Sequence, residues 1–153
     1  GGGGGTQIFE SSGGKGGGGW KVVDGSFLLV WAMTVTHAAT DLKVAPHKRM
    51  GDGSMDVVLI RDGATRAQIT YLFLQLEHGT HVNAPYVEYY KVSELIWEPN
   101  GSSGIICIDG ELSAAGPETQ DRLPKMHLGK ELPMSYEKMH IKIQKGLLPT
   151  FVP

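Results

Sequence analysis

MDVVLIRDGATRAQITYLFLQLEHG, residues 55–79, changes from a strand pattern to a helix pattern within a few residues, and that change decides the fold. Met55 to Arg61 is short, apolar and rich in branched side chains, which suits a strand. Thr65-Arg66-Ala67-Gln68 has the spacing of a capping box, in which a threonine side chain and a glutamine three residues later satisfy each other's backbone amides. After it, Ile69, Leu72, Phe73 and Leu76 fall at the i, i+3, i+4, i+7 positions of one helix face, and Gly79 is a stop. Upstream, the apolar run from Phe27 to Val35 reads as a strand buried on both faces, entered through a turn at Asp24-Gly25-Ser26. Downstream, Tyr86 to Glu98 reads as one long or bent strand. Asn100 to Gly104 then joins it to Ile105–Asp109 as a hairpin. Ser113 to Lys138, with Pro117, Pro124 and Pro133, reads as surface loop or short helical turns, and the alternation around Ile141 and Ile143 as a closing half-buried strand. Many strands, one helix and no β-α-β rhythm give a mostly β fold, an antiparallel β-sandwich with one inserted amphipathic helix.

The chain has 153 residues, enough for one domain with a real core. Half of its 22 glycines precede Trp20, so residues 1–19 are expected to be a Gly-rich flexible linker and 20–153 the domain. A net charge of −2 with scattered basic residues lacks the electrostatic footprint of a nucleic-acid binder. No apolar stretch reaches the ~18 residues of a membrane span. The lone cysteine, Cys107, has no partner for an internal disulfide; its setting in Ile105-Ile106-Cys107-Ile108 suggests a small buried hydrophobe, and a reducing compartment fits.

Three pieces could carry chemistry. Asp109-Gly110-Glu111 ends an apolar strand, where two carboxylates at a sheet rim could approach a phosphate or a metal-bound water; taken alone it is also an ordinary turn. Gly51-Asp52-Gly53 looks like a phosphate loop but has no helix amino terminus after it, and a hairpin turn is the better account. The six histidines show no metal-ligand spacing and no cysteine cluster, so no metal site is assigned. His81, just after the helix stop, is the one placed near whatever Phe73 and Leu76 line. The helix stripe by itself is what a core face looks like.

FLLVWAMTVTHAATDL (27–42) followed by Ala45-Pro46, RAQITYLFLQLEHGTH (66–81) followed by Pro85-Tyr86-Val87, and WEPNGSSGIICIDGEL (97–112) together resemble, in order and spacing, the carboxy-terminal domain of sphingosine kinases. HIKIQKGLLPTF (140–151) is similar to the final strand of the wider diacylglycerol-kinase superfamily. The resemblance implies the lipid-binding half of an enzyme that uses ATP and Mg2+ to phosphorylate the primary hydroxyl of sphingosine or a related long-chain base. The alternatives are a ceramide or diacylglycerol kinase domain, or a non-catalytic β-sandwich module that binds a lipid or a protein. By position, Asp109, Gly110 and Glu111 would approach the nucleotide phosphates and metal, with Glu111 catalytic. Leu29, Trp31, Leu42, Val58, Ile69, Leu72, Phe73, Leu76, His81 and Val87 would enclose the tail. Trp31 departs from the smaller aliphatic expected there, and residues 113–138 fit the family poorly. The nucleotide loop, its aspartate and the aspartate that grips the sphingoid amine belong to an amino-terminal domain that nothing here matches. The chain is therefore expected to be a fragment or the product of an incomplete gene model, inactive alone, from a cytoplasmic enzyme that meets membranes transiently.

Overall fold

The computed structural model describes residues 6–10, 19–123 and 132–144. In chain order these form β1 (Thr6–Glu10), β2 (Gly19–Val23), β3 (Phe27–Met33), β4 (Met55–Arg61), α1 (Arg66–Gln75), a 3-10 turn (Thr80–Asn83), β5 (Val87–Val92), β6 (Glu94–Trp97), β7 (Ile105–Ile108), β8 (Glu111–Ala115), the single turn α2 (Pro117–Gln120) and β9 (Met139–Lys142). All pairings are antiparallel. One sheet has the order β2-β1-β6-β9, a second β3-β4-β5, and β7-β8 stand as a two-stranded hairpin.

The period-two alternation of β4 divides its side chains between two apolar layers. Met55, Val57 and Leu59 face Val23 and Leu95 of the four-stranded sheet, closing the sandwich. Val58 and Ile60 face the other way, toward Leu72 of α1 and its C-cap Leu76. The domain is thus a β-sandwich with a helix laid over the outer face of its smaller sheet. At ten residues α1 is too short to persist alone, and the burial of Leu72 and Leu76 stabilises it by about 1.5–3 kcal/mol each. Its start is as the sequence implies: the Gln68 amide donates to Thr65 Oγ1 at 3.2 Å and the Thr65 amide to Gln68 Oε1 at 2.7 Å. Among the described residues no helix is long and apolar enough to cross a membrane.

Several local expectations are corrected. The apolar run read as buried on both faces is β3, an edge strand with half-exposed or exposed side chains, while β4 is the central strand. In β3, Phe27 and Val30 pack into the same core although three residues apart; the register shift between Phe27 and Leu29 makes Leu28 the extra, exposed residue that permits it. Tyr86 to Glu98 is not one strand, because the chain breaks at Ser93 and passes from the second sheet to the first. The Asn100–Gly104 segment is no hairpin turn: β7 pairs with β8, not β6. Cys107 is exposed, since only Ile106 of that hairpin strand is buried. Ser113, Ala114 and Ala115, expected in a loop, are buried strand residues, and β8 ends where Gly116 meets Ser102 so closely that a Cβ would lie 2.3 Å from its carbonyl oxygen. The expected linker also does not hold over Thr6–Glu10, whose backbone pairs with β2 on one side and β6 on the other.

Candidate functional site: an apolar layer beside an ion-paired rung

The registers of β3, β4 and β5 place the helix-facing side chains in three rungs. Leu29, Ile60 and Val87 lie across from one another, then Trp31, Val58 and Tyr89, then Met33, Asp56 and Lys91. Packed in one cluster with the first two rungs, Met33 of the third included, are Ile69 and Leu72 of α1, its C-cap Leu76, and Leu42 and Val44 from the β3–β4 connection. Of the tail-enclosing positions expected from sequence, Leu29, Trp31, Leu42, Val58, Ile69, Leu72, Leu76 and Val87 all belong to this one layer. Phe73 does not: it is 49% exposed, one helix step outside the buried stripe.

His81 is fully buried beside the layer. Its Nε2 lies 3.0 Å from the carbonyl oxygen of Val44, itself a layer residue, so Nε2 carries the proton. Nδ1 is then an acceptor, and it has no partner among the described residues. Burial holds the imidazole below its usual pKa, the Val44 carbonyl opposing only in part, and the ring is neutral.

The third rung is polar and was not singled out from the sequence. Asp56 is fully buried; its carboxylate accepts from the Tyr89 hydroxyl and from Lys91 Nζ at 2.8 Å. Lys91 also donates to Asp52 at 3.0 Å, and Asp52 accepts from Lys48 at 2.5 Å. The glycine turn around Asp52 is thus no phosphate cradle: Gly51 and Gly53, at φ 73° and 74°, set a carboxylate between two lysines. Burial alone would raise the Asp52 pKa, but bonds from Lys48, Ser54 and Lys91 outweigh it and hold the group well below the usual range. Burial, then the Asp56 carboxylate, pushes the Tyr89 hydroxyl well above its ordinary value. His47 stacks edge-on against Tyr89 with ring centroids 5.3 Å apart. The sequence signal existed: a charge inside an otherwise apolar central strand requires a partner.

Asp109 and Gly110, at φ 51° and 84°, form the two-residue loop of the β7–β8 hairpin, with Glu111 opposite Ile108. All three residues are exposed, and neither carboxylate has a hydrogen-bond or ion-pair partner among the described residues. No hairpin residue belongs to the apolar layer. No group of three or more metal-ligating side chains occurs among the described residues. An open groove of about 810 Å³, bordered by Pro99–Ser103, Pro117, Glu118 and Tyr136, shares no residue with the layer.

Residues 21–128 match the YegS C-terminal NAD kinase beta sandwich-like domain. The chain belongs to this family. The expected kinship with sphingosine kinases holds as well: the chain is 31% identical over 140 residues to sphingosine kinase 1 of Arabidopsis thaliana, covering 88% of this chain and 27% of that protein. Human sphingosine kinase 1 is 36% identical over 96 residues, 61% of this chain and 25% of the enzyme. Sphingosine kinase B of Dictyostelium discoideum is 35% identical over 105 residues, 67% of this chain and 14% of the enzyme. The chain therefore spans about a quarter or less of the length of these relatives, and the matched part is a YegS-type C-terminal domain.

Proposed function

We propose that this domain is the lipid-binding half of an ATP-dependent sphingoid-base kinase, with the tail held in the layer between α1 and the β3-β4-β5 sheet. The observation that carries this reading is that positions expected from the resemblance to enclose a tail, scattered from Leu29 to Val87, converge on one layer. Each methylene taken from water into such a layer stabilises the complex by about 0.8 kcal/mol, so a single long tail supplies the affinity and the polar head is left to direct chemistry.

Phosphoryl transfer asks a protein mainly for positioning and charge stabilisation. ATP and Mg2+ would supply the phosphoryl group and the neutralising charge. A companion nucleotide-binding domain would hold them. On this side Glu111 and Asp109 are the groups that would face the nucleotide, and their unpaired, exposed carboxylates suit a role completed by a second domain. The left-handed backbone at Asp109-Gly110 keeps the Gly110 surface open: a Cβ there would meet nothing within 4 Å. We place the enzyme in the cytoplasm, touching membranes transiently to collect its substrate. The rival is a lipid- or protein-binding module without catalysis; the exposed two-residue turn at Asp109-Gly110 is the feature that favours it, because such loops also occur with no ligand at all.

A chimera decides between them. This chain replaces the matching 140 residues of the Arabidopsis enzyme, and transfer of labelled γ-phosphate to sphingosine is measured. Activity supports the kinase reading, and Glu111→Gln should then lower kcat on the order of 10²-fold. A folded but inactive chimera, or a fully active Glu111→Gln variant, would remove the tripeptide from the active site. This chain alone should show no transfer.

A further inference from the structure

Resting on the reading of the apolar layer as a tail slot, we infer that the Met33–Asp56–Lys91 rung is the slot's end-stop and fixes the length of alkyl chain it accepts. Two observations converge on it. The register makes this rung the next one after Trp31–Val58–Tyr89, on the same helix-facing side, so a chain lying along the rungs meets it head-on. The connection between β3 and β4 folds over it, with Lys48 and Asp52 tied to Lys91 and the Lys48 side chain 2% exposed.

The stop is energetic as well as steric. Asp56 sits at zero exposure and is held by Lys91, whose side chain is 43% exposed and so keeps contact with water. A methyl terminus pushed past Tyr89 would strip that water from an ion pair and offer no hydrogen bond in return. One rung is two residues of strand, about 6.6 Å, which is the additional length that removing the stop would open. The layer's bulky Trp31, on the preceding rung, leaves Met33 and the Asp56–Lys91 pair as the last groups a tail can reach.

The test is equilibrium dialysis of the intact chain against saturated long-chain bases of increasing length. For the wild type, affinity should rise about fourfold per methylene and then level off at a limiting length. In the paired replacement Asp56→Leu with Lys91→Met, which removes both charges together and leaves Lys48–Asp52 as a neutral pair, the rise should continue by at least two more methylenes. Met33→Phe, a change on an edge strand that the fold tolerates, should shorten the limit and Met33→Ala should lengthen it; these decide the matter if the paired replacement does not fold. An unchanged limit in all folded variants overturns the end-stop while leaving the slot intact. A wild type whose binding shows no dependence on length overturns the slot, and the end-stop with it.

Discussion

Lys91→Met should destabilise the domain more than Asp56→Asn, although Lys91 is the half-exposed partner and Asp56 the fully buried one. Removing the lysine leaves a carboxylate at zero exposure with, among the described residues, only the Tyr89 hydroxyl as donor. Stranding one charge of a buried pair costs about 3–5 kcal/mol. Asp56→Asn works differently. The amide oxygen still accepts from Tyr89 or Lys91, and the lysine, 43% exposed, keeps Asp52 at 3.0 Å. What is lost is one charge-assisted bond, about 1.5–3 kcal/mol, and the lower part of that range applies because the ammonium stays hydrated. The expected order is therefore Lys91→Met first by about 1–3 kcal/mol. Urea denaturation of the two variants and of the Asp56→Leu/Lys91→Met pair measures it, and the pair should be closer to wild type than Lys91→Met alone. If Asp56→Asn is the more damaging, or if both stay within experimental error of wild type, the rung is not the buried ionic element described here.

Thr65→Ala removes one half of the capping box and should cost about 1 kcal/mol in the same urea assay, with Gln68→Ala costing less and the double variant less than the sum. His81 sets a pH dependence: its folded pKa lies below the ordinary 6.5, so the unfolded chain binds the proton first, and stability present above pH 6.5 falls as pH drops through the interval toward the folded value. His81→Gln should flatten that slope in melting curves recorded across it; an unchanged slope would mean the ring is not held neutral. Phe73→Ala, at an exposed position, should leave the melting temperature of the chain within the effect of about 0.5 kcal/mol, yet raise the lipid KM of the chimera if Phe73 guards the mouth of the slot.

How much of this was readable in advance depends on the sequence distance of the forces involved. The capping box of α1 is local, four consecutive residues whose amides and side chains answer one another, and it stands where the spacing predicts. The strand at Met55–Arg61 is likewise read directly, because a branched apolar run has few other uses. Which strand sits beside it is another matter. β3 and β4 are both apolar runs, and only the pairing of β4 with β5, some thirty residues on, makes one an edge and the other the centre. The hairpin failed for a similar reason: Asn100–Gly104 has turn composition, but Asp109-Gly110 can adopt two successive left-handed residues, and that tight loop takes β7 into β8.

The site divides along the same line. The apolar positions expected around a tail could be named because the resemblance carried them as a set, and most of them share one packed cluster; Phe73 does not, because a helix face one step wider than the buried stripe looks the same in sequence. The ion-paired rung could not be assembled from either source. Asp56 is paired with a lysine 35 residues later and relayed to an aspartate in a turn that had been set aside as a false phosphate loop. Such a set has no spacing rule, since each member reaches the others only after the sheet has formed. The warning was thermodynamic rather than patterned: a carboxylate second in a seven-residue strand with every neighbour to Ile60 apolar cannot be buried unpaired. Tracing that demand for a partner leads to Lys91, and from Lys91 to Asp52 in the turn.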